Sequence, residues 1–384
     1  MVQAAGALPR LGLNLLYLVP GEVGGSEIYA RNLIPALRAK RPDLELVAYV
    51  GPEAVESLRG EPWADGMRFV VSPVRSRVKP LRVAAEMTWL PARVRRDGVG
   101  LLHSLGTTTP IFCPVPSVVS VLDVIYHHFP ETFPRASRWG LRAVVPAGAR
   151  RAQRVIAISH AGKRDVAGTL GIDPAKIDVV HLGFGMKQSA APTPAPEVRE
   201  RFGVDGHPLV LTVSSALRHK NLDRLLAAFS QVARDRPEML VLVGHGGLDQ
   251  KALRERAAAL GIGDRVAFTG WIDDSDLEGL YATAEVFVFT SLMEGFGMPV
   301  LEAMRRGVPV ACSGVSALPE VAGDAAELFD PYDVDAIAAA VRRLLESPEH
   351  RAALVARGRE RCLEFTWERA ADETLATYAR ALAG

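Results

Sequence analysis

Two glutamates eight positions apart, Glu294 and Glu302, lie in the stretch Thr290-Ser-Leu-Met-Glu-Gly-Phe-Gly-Met-Pro-Val-Leu-Glu-Ala-Met304. A carboxylate accepts two hydrogen bonds at once, which matches the vicinal diol of a sugar or a ribose. Glycines flank Phe296, and Pro299 suits the first turn of a helix running to about Arg306. Residues 295–298 then form a backbone loop at the mouth of a helix. Its free N–H groups and the positive end of the helix dipole favour a phosphate or a developing anion. A second glycine pair, Gly24 and Gly25, follows an apolar run and precedes a helix starting at about Ser26. It exposes backbone amides in the same way, and a tight turn with positive φ would need glycine there in any case.

Other nucleotide chemistries fail on spacing. Pro20-Gly-Glu-Val-Gly-Gly-Ser-Glu27 is not the G-x-G-x-x-G of a dinucleotide site, and no G-x-x-x-x-G-K-[ST] occurs. Gly244-His-Gly-Gly247 follows a strand but lacks a third glycine in place. A dehydrogenase and a P-loop enzyme are both excluded.

The elements that must carry these residues are legible in the pattern. A chain of 384 residues exceeds the usual reach of one core. The small, proline-rich stretch Lys187-Gln-Ser-Ala-Ala-Pro-Thr-Pro-Ala-Pro196 is the best boundary. It divides the chain into domains 1–187 and 188–364, with an amphipathic helix in the tail 365–384 expected to pack back on the first domain. Apolar runs at 12–18, 44–50, 101–103, 117–122, 155–158 and 177–181 read as buried strands, with helices over about 26–39, 81–95, 137–152 and 161–170. Downstream, strands are expected at 209–214, 239–243, 266–269, 286–290 and 308–312, with helices between. Strand-helix alternation without hairpin signals predicts parallel sheets covered on both faces, hence two α/β Rossmann-like domains facing across a cleft.

Charge and cysteine usage narrow the setting. The net charge is +1, yet residues 1–187 hold 24 Lys and Arg against 15 Asp and Glu, a balance of +9, and the remainder carries −8. No apolar run approaches a membrane span, and the first residues lack the apolar core of a signal peptide. Cys113, Cys312 and Cys362 offer neither a metal spacing nor a disulfide framework, which predicts a cytoplasmic protein.

The block Glu-Gly-Phe-Gly-Met-Pro-Val-Leu-Glu-Ala-Met resembles the glutamate-seven-residues-glutamate signature of family four retaining glycosyltransferases, which have the GT-B fold. Gly24-Gly-Ser-Glu27 is similar to the family's first glycine loop, Val155-Ile-Ala-Ile-Ser159 to a late strand of its first domain, and Leu217-Arg-His-Lys-Asn-Leu222 to its phosphate-binding segment. Gly270-Trp271, Leu280-Tyr281, Val308-Pro-Val310, Leu318-Pro-Glu-Val-Ala-Gly323 and Phe365-Thr-Trp367 resemble further family blocks. The resemblance implies transfer of a sugar, with retention, from a GDP- or UDP-sugar donor to a hydroxyl acceptor, lipid-linked acceptors included. It implies that Glu294 approaches the donor sugar, that Glu302 holds the ribose diol, and that the amides of Phe296, Gly297 and Met298 touch sugar and phosphate. Lys220 maps to the lysine on the diphosphate, and Gly244, Trp271, Gly24 and Gly25 fall on the donor side. A fixed cation stabilises the charge that grows on a departing diphosphate. No cofactor and no metal are then expected, and Asp273-Asp-Ser-Asp276 reads as capping and solvation rather than an Asp-x-Asp metal motif.

Two departures stand out. Where the family usually has an Arg ahead of the phosphate lysine this chain has Ser214-Ser215, so Arg218 is the candidate second cation. Where the family often reads His-Asp, it has Leu122-Asp123, which keeps Asp123 as a site candidate and leaves His103, His127 or His128 as substitutes. Two rival readings are a sugar-nucleotide 2-epimerase of the same fold and a degenerate transferase that only binds. Basic clusters at Arg75, Arg77, Lys79 and Arg82, at Arg135, Arg138 and Arg142, and at Arg150, Arg151 and Arg154, with Trp139 and Leu141 interleaved, predict contact with an anionic membrane surface rather than with nucleic acid.

Overall fold

The computed structural model describes residues 10–132, 135–184, 191–244 and 250–383, with the side chains of 135–137 and 139 outside that description. The chain divides into two compact units. One is Met1–Gly185 together with Phe365–Gly384, and the other is Met186–Glu364.

Among the described residues, the first unit holds seven strands: β1 (Leu11–Leu15), β2 (Leu46–Val50), β3 (Arg68–Val71), β4 (Leu101–Ser104), β5 (Ser117–Val121), β6 (Arg154–Ala157) and β7 (Ile177–Val179). They pair in parallel in the order β3-β2-β1-β4-β5-β6-β7, with Leu13 opposite Ala48 on one side and His103 on the other. The second unit holds β8 (Leu209–Val213), β9 (Met239–Val243), β10 (Val266–Gly270), β11 (Ala284–Phe289), β12 (Val310–Ser313) and β13 (Glu327–Phe329), in the order β10-β9-β8-β11-β12-β13. Both sheets are parallel and doubly wound, as the strand-helix alternation predicts. Central strands are fully buried because helices cover both faces, so they appear in sequence as unbroken apolar runs.

The edge strands β3 and β13 carry no such run. β3 has a single fully buried residue, and β13 is three residues long, so neither stood out from the sequence. β1 stops short of its apolar run because the chain turns, with the Leu18 N–H donating to the Leu15 carbonyl at 3.0 Å.

The tail helix Trp367–Ala383 belongs to the first unit and lies against the helix Gly25–Lys40. Trp367 packs on Tyr29 with ring centroids 6.3 Å apart, and Lys40 pairs with Asp372 at 2.6 Å. A Cβ on Gly183 would meet the Trp367 backbone nitrogen at 2.2 Å, so only glycine lets the two backbones pass. Buried beneath this helix, His103 is bonded through Nδ1 to the Tyr378 hydroxyl (2.7 Å) and through Nε2 to Ser120 Oγ (2.8 Å).

Burial pushes the pKa of His103 down to about 3, so the folded chain keeps it neutral. Unfolding releases it to protonate near 6.5, so stability should fall as pH drops from there, by up to about 1.4 kcal/mol per pH unit. Chemical denaturation at pH 7 and pH 5 should show this slope. His103→Gln, which cannot titrate, should lose it.

Candidate active site

In the second unit β8 lies between β9 and β11, so the chain leaving β8 turns to one side and the chain leaving β11 to the other. The diverging connections open a crevice at the carboxyl ends of these two strands, where ligands of such sheets bind. Both sequence-predicted charges fall there. After β8 a short turn, Arg218–Lys220, presents Lys220; after β11 the loop presents Glu294. The Lys220 ammonium donates to Glu294 Oε1 at 2.5 Å and lies 5.4 Å from the centroid of the Phe289 ring. The two side chains are only 15% and 12% exposed, so the pair is desolvated and held. The two loops are also stitched together by bonds to their backbones. Thr290 Oγ1 donates to the Lys220 carbonyl at 3.0 Å, and the Leu292 N–H donates to the His219 carbonyl at 2.7 Å.

Past Glu294 the chain crosses into the helix Met298–Arg305 through Gly297, whose φ is 108°. The Phe296 side chain is buried, so what this residue can offer a ligand is its backbone. Ser316 fixes the loop from outside: its hydroxyl accepts from the Glu294 N–H at 3.1 Å and donates to the Glu294 carbonyl at 2.9 Å. A Cβ on Gly297 would come within 2.5 Å of Leu318 Cδ2, and Leu318 is fully buried. Gly297→Ala combines this clash with a left-handed backbone and should cost about 1–3 kcal/mol. An unchanged unfolding midpoint would show that the loop can relax.

Glu302, one turn into that helix, is half-buried. Its Oε2 accepts from the Tyr281 hydroxyl at 3.4 Å, and among the described residues Oε1 has no protein partner. Burial pushes its carboxyl pKa up; Arg306 and the Tyr281 hydroxyl oppose that, while Glu278 and Asp274 add to it. Arg306 is itself held by Glu278 through Nε at 2.8 Å and lies over the Tyr281 ring, 4.5 Å from its centroid. Glu302 is thus a desolvated carboxylate on a braced platform, not a solvated helix residue. Ser316, Tyr281 in its bonding role, and the Arg306–Glu278 brace were missed by sequence reasoning, because Ser316, Tyr281 and Glu278 each bond the site's segment from more than ten positions away.

On the neighbouring strands, Gly244 has φ 143°, and a Cβ there would meet the Ser214 carbonyl oxygen at 2.1 Å. Backbone therefore packs on backbone at the point where the family carries its extra Arg. Ser214 Oγ turns inward to the Ser215 carbonyl at 3.1 Å. Arg218 is exposed and borders a groove of about 360 Å³ shared with Asn221 and Arg224. Trp271 is 69% exposed beyond β10.

Asp273 caps the following helix, accepting from the Asp276 N–H at 2.8 Å, as expected. Asp276 corrects the expectation of solvation: it is buried and paired with Arg201 and with Thr193 Oγ1.

Gly24, Gly25 and Asp123 belong to the first unit. Gly24 has φ 52° and caps the helix Gly25–Lys40; both glycines are exposed, with no atom within 4 Å of an added Cβ. Asp123 follows β5, its Oδ1 accepting from the Ile125 N–H at 3.0 Å. His103 does not serve as a substitute for the missing imidazole, since burial under the tail helix denies it to any ligand. His127 and His128 are exposed, and His128 bonds Asp165 at 2.8 Å.

Comparison with known proteins agrees across both units. Residues 23–186 match the family model described as Glycosyltransferase Family 4, and residues 195–361 match Glycosyl transferases group 1. O-antigen chain mannosyltransferase B of Escherichia coli is 34% identical over 190 residues, 49% of this chain and 50% of that protein. MMP alpha-(1->4)-mannosyltransferase of Mycolicibacterium hassiacum is 33% identical over 258 residues, 65% of this chain and 60% of its own. The chain thus spans 50% to 60% of the length of these two relatives. Among solved structures, sucrose-phosphate synthase of Thermosynechococcus elongatus superposes with a TM-score of 0.76 at 22% identity, covering 98% of this chain and 99% of that one. Anabaena Alr3699/HepE in complex with UDP and glucose gives 0.73 at 20% identity, covering 96% and 99%. These neighbours share the fold of two parallel α/β domains called GT-B. With both units matched by family models, a pair of glutamates at the signature spacing and a lysine facing the first of them, the chain belongs to the family four glycosyltransferases.

Proposed function

We propose that this protein transfers a sugar, with retention of anomeric configuration, from a nucleotide-diphosphate sugar to a hydroxyl acceptor. The observation that carries the reading is the desolvated Lys220–Glu294 pair at the carboxyl ends of β8 and β11. In this reading the donor enters between the partners: the diphosphate takes the ammonium and the sugar hydroxyls take the carboxylate. Breaking the anomeric C–O bond leaves charge on the diphosphate, which Lys220, the amides of residues 296–298 and Arg218 receive. The acceptor hydroxyl gives its proton to the departing phosphate oxygen. Glu302 Oε1 takes the ribose diol, and Gly244 and Trp271 line the donor's other side. Gly24, Gly25 and Asp123 serve from the first unit. This assignment requires no metal and no cofactor.

A nucleotide-sugar donor is supported by Alr3699/HepE, which is solved with UDP and with UDP-glucose, and by the two relatives that are mannosyltransferases. A thermal-shift panel of nucleoside diphosphates tests the donor. Ligand stabilises the fold by RT ln(1 + [L]/Kd), so GDP or UDP should raise Tm well above the others. A flat panel would remove the nucleotide reading. Full activity in EDTA is expected, and a steep loss would overturn the metal-free assignment. Conversion of the nucleotide sugar to its epimer without any acceptor would favour the 2-epimerase instead.

The acceptor is proposed to be lipid-linked and met by a cytoplasmic enzyme at an anionic surface. No helix among the described residues is long and apolar enough to cross a membrane. Of the basic residues in the first unit, Arg75, Lys79, Arg142, Arg150 and Arg151 are exposed, whereas Arg154 is spent on Asp178 at 2.6 Å. The side chains of Arg135 and Trp139 lie outside the described residues. Each exposed base near an anionic surface contributes about 1 kcal/mol, so binding to anionic liposomes should be tight at low salt and lost at high salt. Equal recovery with neutral vesicles would point to a soluble acceptor.

A further inference from the structure

On the first unit, a cavity of about 410 Å³ lies between the helix Arg135–Arg151, the helix His160–Leu170 and the short helix Ile125–His128 that follows β5. Its polar lining is Tyr126, His127, Arg142, Arg150 and Thr169, over an apolar patch that includes Pro146. Among the described residues that line it, none is a carboxylate. Two acids lie close by: Asp165 is engaged by His128 at 2.8 Å and by Thr169 Oγ1 at 3.2 Å, and Asp123, whose charge reaches the Tyr126 hydroxyl, accepts from the Ile125 N–H at 3.0 Å.

Tyr126 makes this cavity unusual. It is 3% exposed, yet among the described residues its hydroxyl has no hydrogen-bond partner. A buried hydroxyl left unpaired destabilises the fold, which a solely structural tyrosine would avoid by being phenylalanine. Two exposed arginines flank it. Arg142 gives one N–H to the His127 carbonyl at 3.3 Å, and Arg150 gives one to the Leu170 carbonyl at 2.7 Å. A guanidinium has five donors, so both keep most of theirs for a ligand. Burial lowers the pKa of His127 and the positive field of Arg142 lowers it further, so near neutral pH the ring adds a hydrogen-bonding group without a charge. Two guanidinium forks, a phenol and an imidazole in a lining without a carboxylate form a receptor for a compact oxyanion with several acceptor oxygens.

We propose that this cavity binds a phosphoryl group, at a site separate from the one described above. Arg142 and Arg150 supply the charge, and the Tyr126 hydroxyl donates to a phosphate oxygen. The proposal does not depend on the glycosyltransfer reading, because none of the residues that line the cavity is among those assigned to that reaction.

The probe is sn-glycerol 3-phosphate, titrated calorimetrically into the full chain with the nucleoside diphosphate that stabilises it best present at saturation. If no nucleotide stabilises it, the titration is run with Lys220→Ala in parallel. Binding is expected to survive either control, to weaken about 5-fold in Tyr126→Phe, and to weaken 10-fold or more in Arg142→Gln. Nucleotide affinity should not change in either variant. Arg142→Lys, which keeps the charge without the fork, should bind with intermediate affinity; that order separates recognition from misfolding. Loss of the signal under saturating nucleotide, or equal affinity in the wild type and Arg142→Gln, would overturn the proposal.

The source of the phosphate is read from vesicles of phosphatidylcholine with and without phosphatidic acid. Arg142-dependent recovery on the phosphatidic acid vesicles, competed by the soluble ester, assigns a lipid headgroup. Binding of the soluble ester without such recovery assigns a free phosphate ester. Failure of both removes the site.

Discussion

Lys220→Ala is expected to lower kcat by about 100-fold or more while raising donor KM far less. The ammonium meets little extra charge in the bound ground state and much more once the anomeric bond has opened, so its loss falls on the transition state. Removing one preorganised donor of this kind costs about 3–4 kcal/mol. The substitution also strands Glu294, which is 12% exposed and bonded to this lysine at 2.5 Å. Unfolding should therefore be measured beside turnover, and kcat read only from protein shown to be folded. Lys220→Arg retains the charge with a bulkier head and should recover part of the rate. A folded alanine variant with normal kcat would make the pair a structural salt bridge.

The second large effect concerns binding rather than rate. Glu302→Ala should weaken nucleoside diphosphate binding by about 1.5–3 kcal/mol, the range for a lost charge-assisted hydrogen bond. Two features of the site sharpen this expectation. The carboxylate is half-buried, so it is poorly solvated before the ligand arrives, and Oε1 has no competing protein donor among the described residues. Burial also raises its pKa, so affinity should fall on acidification at a higher pH than for an ordinary glutamate, because the protonated form accepts fewer hydrogen bonds. Calorimetry across pH would check both effects. An alanine variant with wild-type affinity would take Glu302 out of the site.

The sequence showed the site in outline because its chemistry is local. Glu294, Gly297 and Glu302 share one strand-loop-helix segment, so their spacing alone places an acid, a backbone turn and a second acid in order. The Gly297 turn and the capping role of Asp273 follow from residue type. What could not be read depends on contacts between distant stretches. Tyr281 reaches Glu302 from the preceding helix, Ser316 reaches back to Glu294 from beyond β12, and no periodicity marks either. His103 is the clearest case. At a strand end it had the look of a possible catalytic imidazole, but Tyr378, 275 positions later, buries and bonds it. Edge strands β3 and β13 escaped for a related reason: with one neighbour and partial exposure they need few apolar residues.

The return of the helix Trp367–Ala383 to the first unit reverses the order in which the two units can be completed during synthesis. All of Met186–Glu364 is contiguous, so it can close its core as soon as those residues leave the ribosome. The first unit begins earlier yet must wait. Until the last helix arrives, Tyr29, His103 and Ser120 lack Trp367 and Tyr378, and an apolar face of the sheet layer stands open. Nascent chains usually fold from the N-terminus onward. Here the earlier-made unit is completed after the second one, by about 20 residues that follow it in the chain. A premature stop after Glu364 should therefore leave the second unit able to bind nucleotide, while the first is exposed to proteolysis and aggregation.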